Sequence, residues 1–151
     1  MLYDITGYIL DFTIYTGHDT NYNKKYNDLP LPSRIVMTLV EDYLDVGHCI
    51  VMDNYYSSPQ LFLQLVKRNT DAVGTVCCNR KSLPSDFKTA KLRKNERIAR
   101  YYNKLMALKC HDKKYVHMLS TYHKNDTTII QKHQIQIEKP TCIHEYNDTM
   151  G

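Results

Sequence analysis

Cys49-Ile50-Val51-Met52 runs straight into Asp53, and Asn54-Tyr55-Tyr56-Ser57-Ser58 then leads to Pro59. A carboxylate at the end of an apolar strand can do two kinds of work. Its oxygens can hold a hard divalent cation, or it can cap the following turn by accepting backbone N–H bonds. The pattern leaves both open for Asp53. Asp4, just ahead of Thr6-Gly7, poses the same choice between metal ligand and turn aspartate.

A second constellation is cationic. Arg80, Lys81, Lys88, Lys91, Arg93, Lys94, Arg97, Arg100 and Lys104 are opposed within their stretch only by Asp86 and Glu96, and Tyr101 and Tyr102 lie among them. Cations interleaved with aromatic rings can track a phosphate backbone while the rings meet bases or sugars. The same run also suits an ordinary solvated surface. Other chemistry is not encoded. The seven histidines form no H-E-x-x-H pattern, and the five glycines form no phosphate-cradling loop. Cys110-His111 and Cys142-x-His144 together offer at most half of a zinc site, no second properly spaced pair exists, and the thiols read as buried or half-buried.

These residues need elements to hold them. Cys49–Met52 is apolar and short, as in a fully buried strand. Ser57 or Ser58 can cap the next helix, with Pro59 in its first turn and Leu61, Phe62, Leu65 and Val66 on one face. Asp53 is thus expected at the carboxyl edge of a sheet, where α/β folds place ligands and catalytic groups. Before it, Met1–Tyr3 and Tyr8–Tyr15 read as a hairpin turning at Thr6-Gly7, followed by a loop over 16–32. Ser33 is expected to cap a helix over 34–45 with Ile35, Val36, Leu39, Val40, Tyr43 and Leu44 at helical spacing, stopped by Gly47. After it, Asp71–Val76, Lys104–Lys109, Tyr115–Thr121 and Thr127–Ile137 read as strands. The order predicts a mixed α/β layer.

The 151 residues suffice for one ordinary domain, and 42% hydrophobic residues exclude wholesale disorder. A net charge of +4 permits a polyanionic partner without requiring one. The 13 tyrosines against 3 phenylalanines and no tryptophan suit half-wet surfaces. The cysteine count is 5, an odd number, and no signal peptide or long apolar run is present. The chain therefore reads as intracellular, with free thiols.

The string MDNYYSSPQLF resembles the second catalytic-Asp motif of the piggyBac transposases. GYILDFTIYTG, GTVCCNRKSLP, MLSTYH and EYNDTMG follow that family's order around it, so the resemblance covers Asp4 to Gly151. It implies a ribonuclease-H-like mixed sheet with flanking helices and a β-rich insertion, truncated at both ends. Residues 1–77 would be part of the core, 78–145 the basic insertion, and 146–151 the start of the segment leading to a third acid. It implies Mg²⁺ or Mn²⁺ held by Asp53 and Asp4, with Asp4 brought into register by a one-residue gap. Aligned without a gap, Tyr3 takes the acid's place. In the family, Gly-Val-Asp follows the Tyr-Asn-x-x-Met-Gly stretch and supplies the third acid. Here Tyr146 to Gly151 ends the sequence. The expectation is a fragment of a DDD transposase that is catalytically incomplete alone. The alternative is a non-catalytic DNA-binding or interaction remnant. Arg80, Lys81, Arg93 and Lys94 would face DNA, in a nuclear protein whose full-length ancestor could dimerise. Cys77 stands where the family has an Arg, and Cys110 where it has a Trp.

Overall fold

A computed structural model describes all residues, 1–151. Its centre is a five-stranded sheet in the order β3 (Cys49–Met52), β4 (Asp71–Thr75), β7 (Tyr115–Ser120), β6 (Leu105–His111) and β5 (Arg97–Tyr102). β3 (Cys49–Met52) and β4 (Asp71–Thr75) are parallel and joined by helix α2 (Pro59–Lys67). Parallel neighbours need such a crossover, which lays the helix on one face of the sheet. The Ser58 side chain caps α2 by accepting from the Leu61 N–H, and Pro59 occupies the first turn, where its missing N–H costs nothing. Leu61, Phe62 and Leu65 are fully buried. Asn69 (φ 46°) takes the left-handed conformation that stops the helix.

β4 continues antiparallel into β7 (Tyr115–Ser120), which pairs with β6 (Leu105–His111), which pairs with β5 (Arg97–Tyr102). β6 is buried from Leu105 through Cys110. Its side chains alternate between faces, as strand geometry requires. Leu105 and Ala107 join a core with Met37, Val40, Phe62 and Phe87, while Met106 and Leu108 join a second core with Val73, Met118 and Cys142. Helix α1 (Leu31–Val40) contributes to the first core, and Ile143 and Tyr146 of helix α4 (Thr141–Met150) pack on the second.

Several elements differ from the expectation. α1 starts at Leu31, and Ser33 is buried inside it rather than capping it. Pro32 in the first turn allows the earlier start, and the helix passes into a 3₁₀ turn, Glu41–Tyr43. The amino-terminal hairpin is short. β1 (Leu2–Tyr3) pairs only with β2 (Ile9–Asp11), as a separate two-stranded sheet. All of β2 is exposed, so no packing extends the strand to Tyr15. The expected strand over 127–137 is a hairpin, β8 (Thr127–Lys132) and β9 (Ile135–Pro140), because His133 (φ 48°) and Gln134 (φ 66°) both adopt the left-handed conformation of a tight turn. β5, the short helix α3 (Ser85–Thr89) and α4 were not expected. The composition shift at 77 is a shift in charge, but hydrogen bonding runs through it, since β7 pairs directly with β4.

Candidate functional site

Asp53 follows the last residue of β3 and is exposed. The turn behind it is heavily bonded. Asp53 Oδ1 accepts from the Tyr55 N–H at 2.9 Å, and the Asp53 carbonyl accepts from both Ser57 N (3.1 Å) and Ser57 Oγ (2.9 Å). The turn-closing alternative therefore holds. One carboxylate oxygen closes the turn, and Oδ2, without a hydrogen-bond partner, is left for other chemistry.

Two neighbours shape this turn. Ser57 is completely buried, and its hydroxyl sits in space that Gly74 of β4 leaves open. A Cβ on Gly74 would lie 2.5 Å from Ser57 Oγ and 2.3 Å from the Met52 carbonyl oxygen. The signal was present in the sequence, since a glycine inside a strand pattern marks close backbone approach. The second neighbour is Arg80. Its Nη2 donates to the Asn54 carbonyl at 3.0 Å and to the Tyr55 carbonyl at 2.6 Å.

Asp4 closes a turn of its own. Its Oδ1 accepts from Thr6 N (2.8 Å), Thr6 Oγ1 (2.6 Å) and Tyr8 N (3.0 Å), and these bonds hold its carboxyl below the usual range, with the Thr6 hydroxyl the largest cause. Its hairpin is not hydrogen-bonded to β3. No group of three His, Cys, Asp or Glu side chains is assembled for a metal ion. The donor chemistry nonetheless suits a hard cation, because Asp53 and Asp4 each keep a carboxylate oxygen without a hydrogen bond. Two of the cysteines are buried. Burial pushes the thiols of Cys110 up to about 11 and Cys142 up to about 12, and both stay protonated at neutral pH.

The basic stretch divides. Arg80 turns inward on the Asp53 turn, and Lys109, beyond the stretch, is buried against the carbonyls of Phe87 and Ala90. Arg100 pairs with Asp86 and Lys104 with Asp71. Arg97 bonds Asn125. Lys81, Arg93 and Lys94 are exposed, with no ion pair. A cleft of about 760 Å³ lies between the β6–β7 side of the sheet and the β9–α4 corner, lined among others by Asn54, Arg97, Lys114, Lys139 and Tyr146. Asn54 thus links the Asp53 turn to the cleft.

One further cluster had no sequence signal. Ser120 Oγ lies 2.8 Å from His123 Nδ1, and His123 Nε2 lies 2.7 Å from Glu145 Oε2. Ser120 accepts the His123 backbone N–H and is fully buried, so the chain of bonds fastens α4 to the end of β7 rather than presenting a nucleophile.

A family model described as Transposase IS4 matches residues 1–151. Among solved structures, the chain is similar to one described as a piggyBac transposase synaptic complex with hairpin DNA, determined by cryo-EM. The TM-score is 0.71 at 24% identity, covering 89% of this chain and 27% of that one. The likeness is one of fold, and the mixed sheet is consistent with a ribonuclease-H-like arrangement. The chain spans about a quarter of that relative's length. With the family model covering every residue, this chain belongs to the Transposase IS4 family.

Proposed function

We propose that this chain forms part of the catalytic core of a DDD DNA transposase, with Asp53 and Asp4 as its metal-holding carboxylates and Lys81, Arg93 and Lys94 as contacts to DNA. One observation carries the reading. Asp53 leaves the sheet at the carboxyl end of β3 as an exposed residue, its turn is fixed by bonds to Oδ1 and to the main chain, and Oδ2 has no hydrogen-bond partner. Asp53 and Asp4 would hold Mg²⁺ or Mn²⁺, which would supply electrostatic stabilisation of an in-line displacement at phosphorus. The chain's own part is to hold one carboxylate steady and to bring phosphate to the cleft beside Asn54. Two of the three acids that the resemblance implies, Asp4 and Asp53, lie within these residues. The reading puts the protein with chromosomal DNA, in the nucleus. No helix is long and apolar enough to cross a membrane.

The test uses the ¹⁵N-labelled chain and Mn²⁺. Paramagnetic broadening should centre on the amides of residues 53–57 and vanish in Asp53→Asn. Broadening elsewhere, or none, removes the catalytic reading. The exposed, unpaired Lys81, Arg93 and Lys94 favour a second reading, a DNA-binding module without metal chemistry. Neutralising each residue that meets a phosphate should lower the slope of log affinity against log salt by about 0.9. DNA binding with that salt response but no Mn²⁺ effect would leave only the second reading.

A further inference from the structure

We propose that Arg80 is a positioning residue for the Asp53 turn rather than a phosphate contact, an inference that rests on Asp53 being a metal ligand. Arg80 sits four residues beyond the last buried residue of its strand region, Val76, in the bend that carries the chain away from the sheet. Its guanidinium reaches back across the carboxyl edge. Nη2 donates to two successive carbonyls, Asn54 at 3.0 Å and Tyr55 at 2.6 Å. Nε is buried with no partner of its own.

A guanidinium gives up hydration only where something compensates it. Here the compensation is two charge-assisted bonds to the turn, which are stronger than neutral ones. The bonded carbonyls belong to the residues directly after Asp53. They point away from the N–H of Tyr55, which Asp53 Oδ1 holds at 2.9 Å. Cys77 Sγ also approaches the Asn54 carbonyl, at 3.8 Å. Arg80 thus holds the outer side of a peptide segment whose inner side is held by Asp53 itself and by Ser57. Fixing both sides restricts the rotation that would swing the Asp53 carboxylate away from the sheet edge. The adjacent Lys81 is exposed, with no such bonds, so the two neighbours divide the work. Arg80 orients the carboxylate, and Lys81 is free for phosphate.

The experiment compares wild type, Arg80→Ala, Arg80→Lys and Asp53→Asn by residue-resolved amide hydrogen exchange, Mn²⁺ titration and duplex-DNA binding across a salt series. In Arg80→Ala the Tyr55 and Ser57 amides should exchange about tenfold faster, with β6 and β7 amides unchanged. The Mn²⁺ concentration that broadens the Asp53 amide should rise by a similar factor, Arg80→Lys should recover part of both effects, and the DNA salt slope should match wild type. Unchanged exchange at Tyr55 and Ser57 with a salt slope smaller by about 0.9 would make Arg80 a phosphate contact and overturn the proposal. Loss of protection spreading to β6 and β7 in both Arg80 variants would also overturn it, because Arg80 would then support the fold at large. Faster turn exchange in a protein whose wild type shows no Mn²⁺ broadening at Asp53 would overturn the positioning role at a metal by refuting the metal reading. The measured clamp would separate that failure from the other two.

Discussion

The Ser57 hydroxyl and the α-carbon of Gly74 are in close approach, and a single added methyl on Gly74 would lie 2.5 Å from Ser57 Oγ. This contact joins the parallel pair β3–β4 to the turn that presents Asp53. It also explains why a strand interior tolerates a residue with no side chain to pack.

Gly74→Ala should therefore destabilise the chain by about 3 kcal/mol, at the upper end of overpacking costs, because the Met52 carbonyl that blocks the methyl is backbone and cannot swing aside. Ser57→Ala should cost about 1–2 kcal/mol through its lost buried hydrogen bond. The double variant should fall short of the sum, since removing the hydroxyl relieves part of the clash. Urea denaturation of the three variants checks this, and strict additivity would mean that the two residues do not share the space.

Lys109 offers a second test. It is 2% exposed and has no carboxylate partner, yet its Nζ donates to the Phe87 and Ala90 carbonyls, each at 2.6 Å, and lies 4.6 Å from the Tyr115 ring centroid. It acts as a cap on the carboxyl end of α3. Lys109→Met keeps the stem but leaves two carbonyls unsatisfied, and should cost about 1–3 kcal/mol. Hydrogen exchange should locate the loss at the Ala90 amide, which bonds Asp86 in the last turn of α3. Retained protection there would mean that α3 holds without Lys109.

Acid should weaken the fold through Asp71. Burial pushes its carboxyl up, but hydrogen bonds from Lys104 (2.6 Å) and Thr121 (2.7 Å) outweigh burial and hold it below the usual carboxylate range. A depressed carboxyl contributes in full above its unfolded value, and the contribution is lost as pH falls through the folded one. Asp71→Asn should lower Tm at neutral pH, and the gap from wild type should close below about pH 4. A gap that stays constant on further acidification below about pH 4 would show that Asp71 is not the linked group. Asp45, held low by its Arg68 partner, should leave some acid sensitivity in the variant.

Much of the site's first layer was legible in the sequence. Four apolar residues before Asp53, a Ser-Ser-Pro start and an amphipathic run are local signals, and β3 and α2 form where they predict. Local signals also gave β4, β6 and β7, whose apolar runs have no other use. The misreadings have particular causes. Arg97–Tyr102 pairs as β5 although its composition suggests a solvated surface, because an edge strand needs only one partner, and β6 supplies it. His133-Gln134 turns the chain without a glycine or an Asn-Gly pair, so the β8–β9 hairpin gave no turn signal.

The sequence by itself determined the family, the presence of a carboxylate at a strand end and the basic character of residues 80–104, because these depend on residue type and order. Only the tertiary structure decided what the charges do. Arg80 and Lys81 are indistinguishable as a charge run, yet one is committed to the Asn54 and Tyr55 carbonyls and the other is open to solvent. The physical reason is that a side chain's role follows from the acceptors brought within about 3 Å of it. For Arg80 those acceptors lie 25 and 26 residues away along the chain.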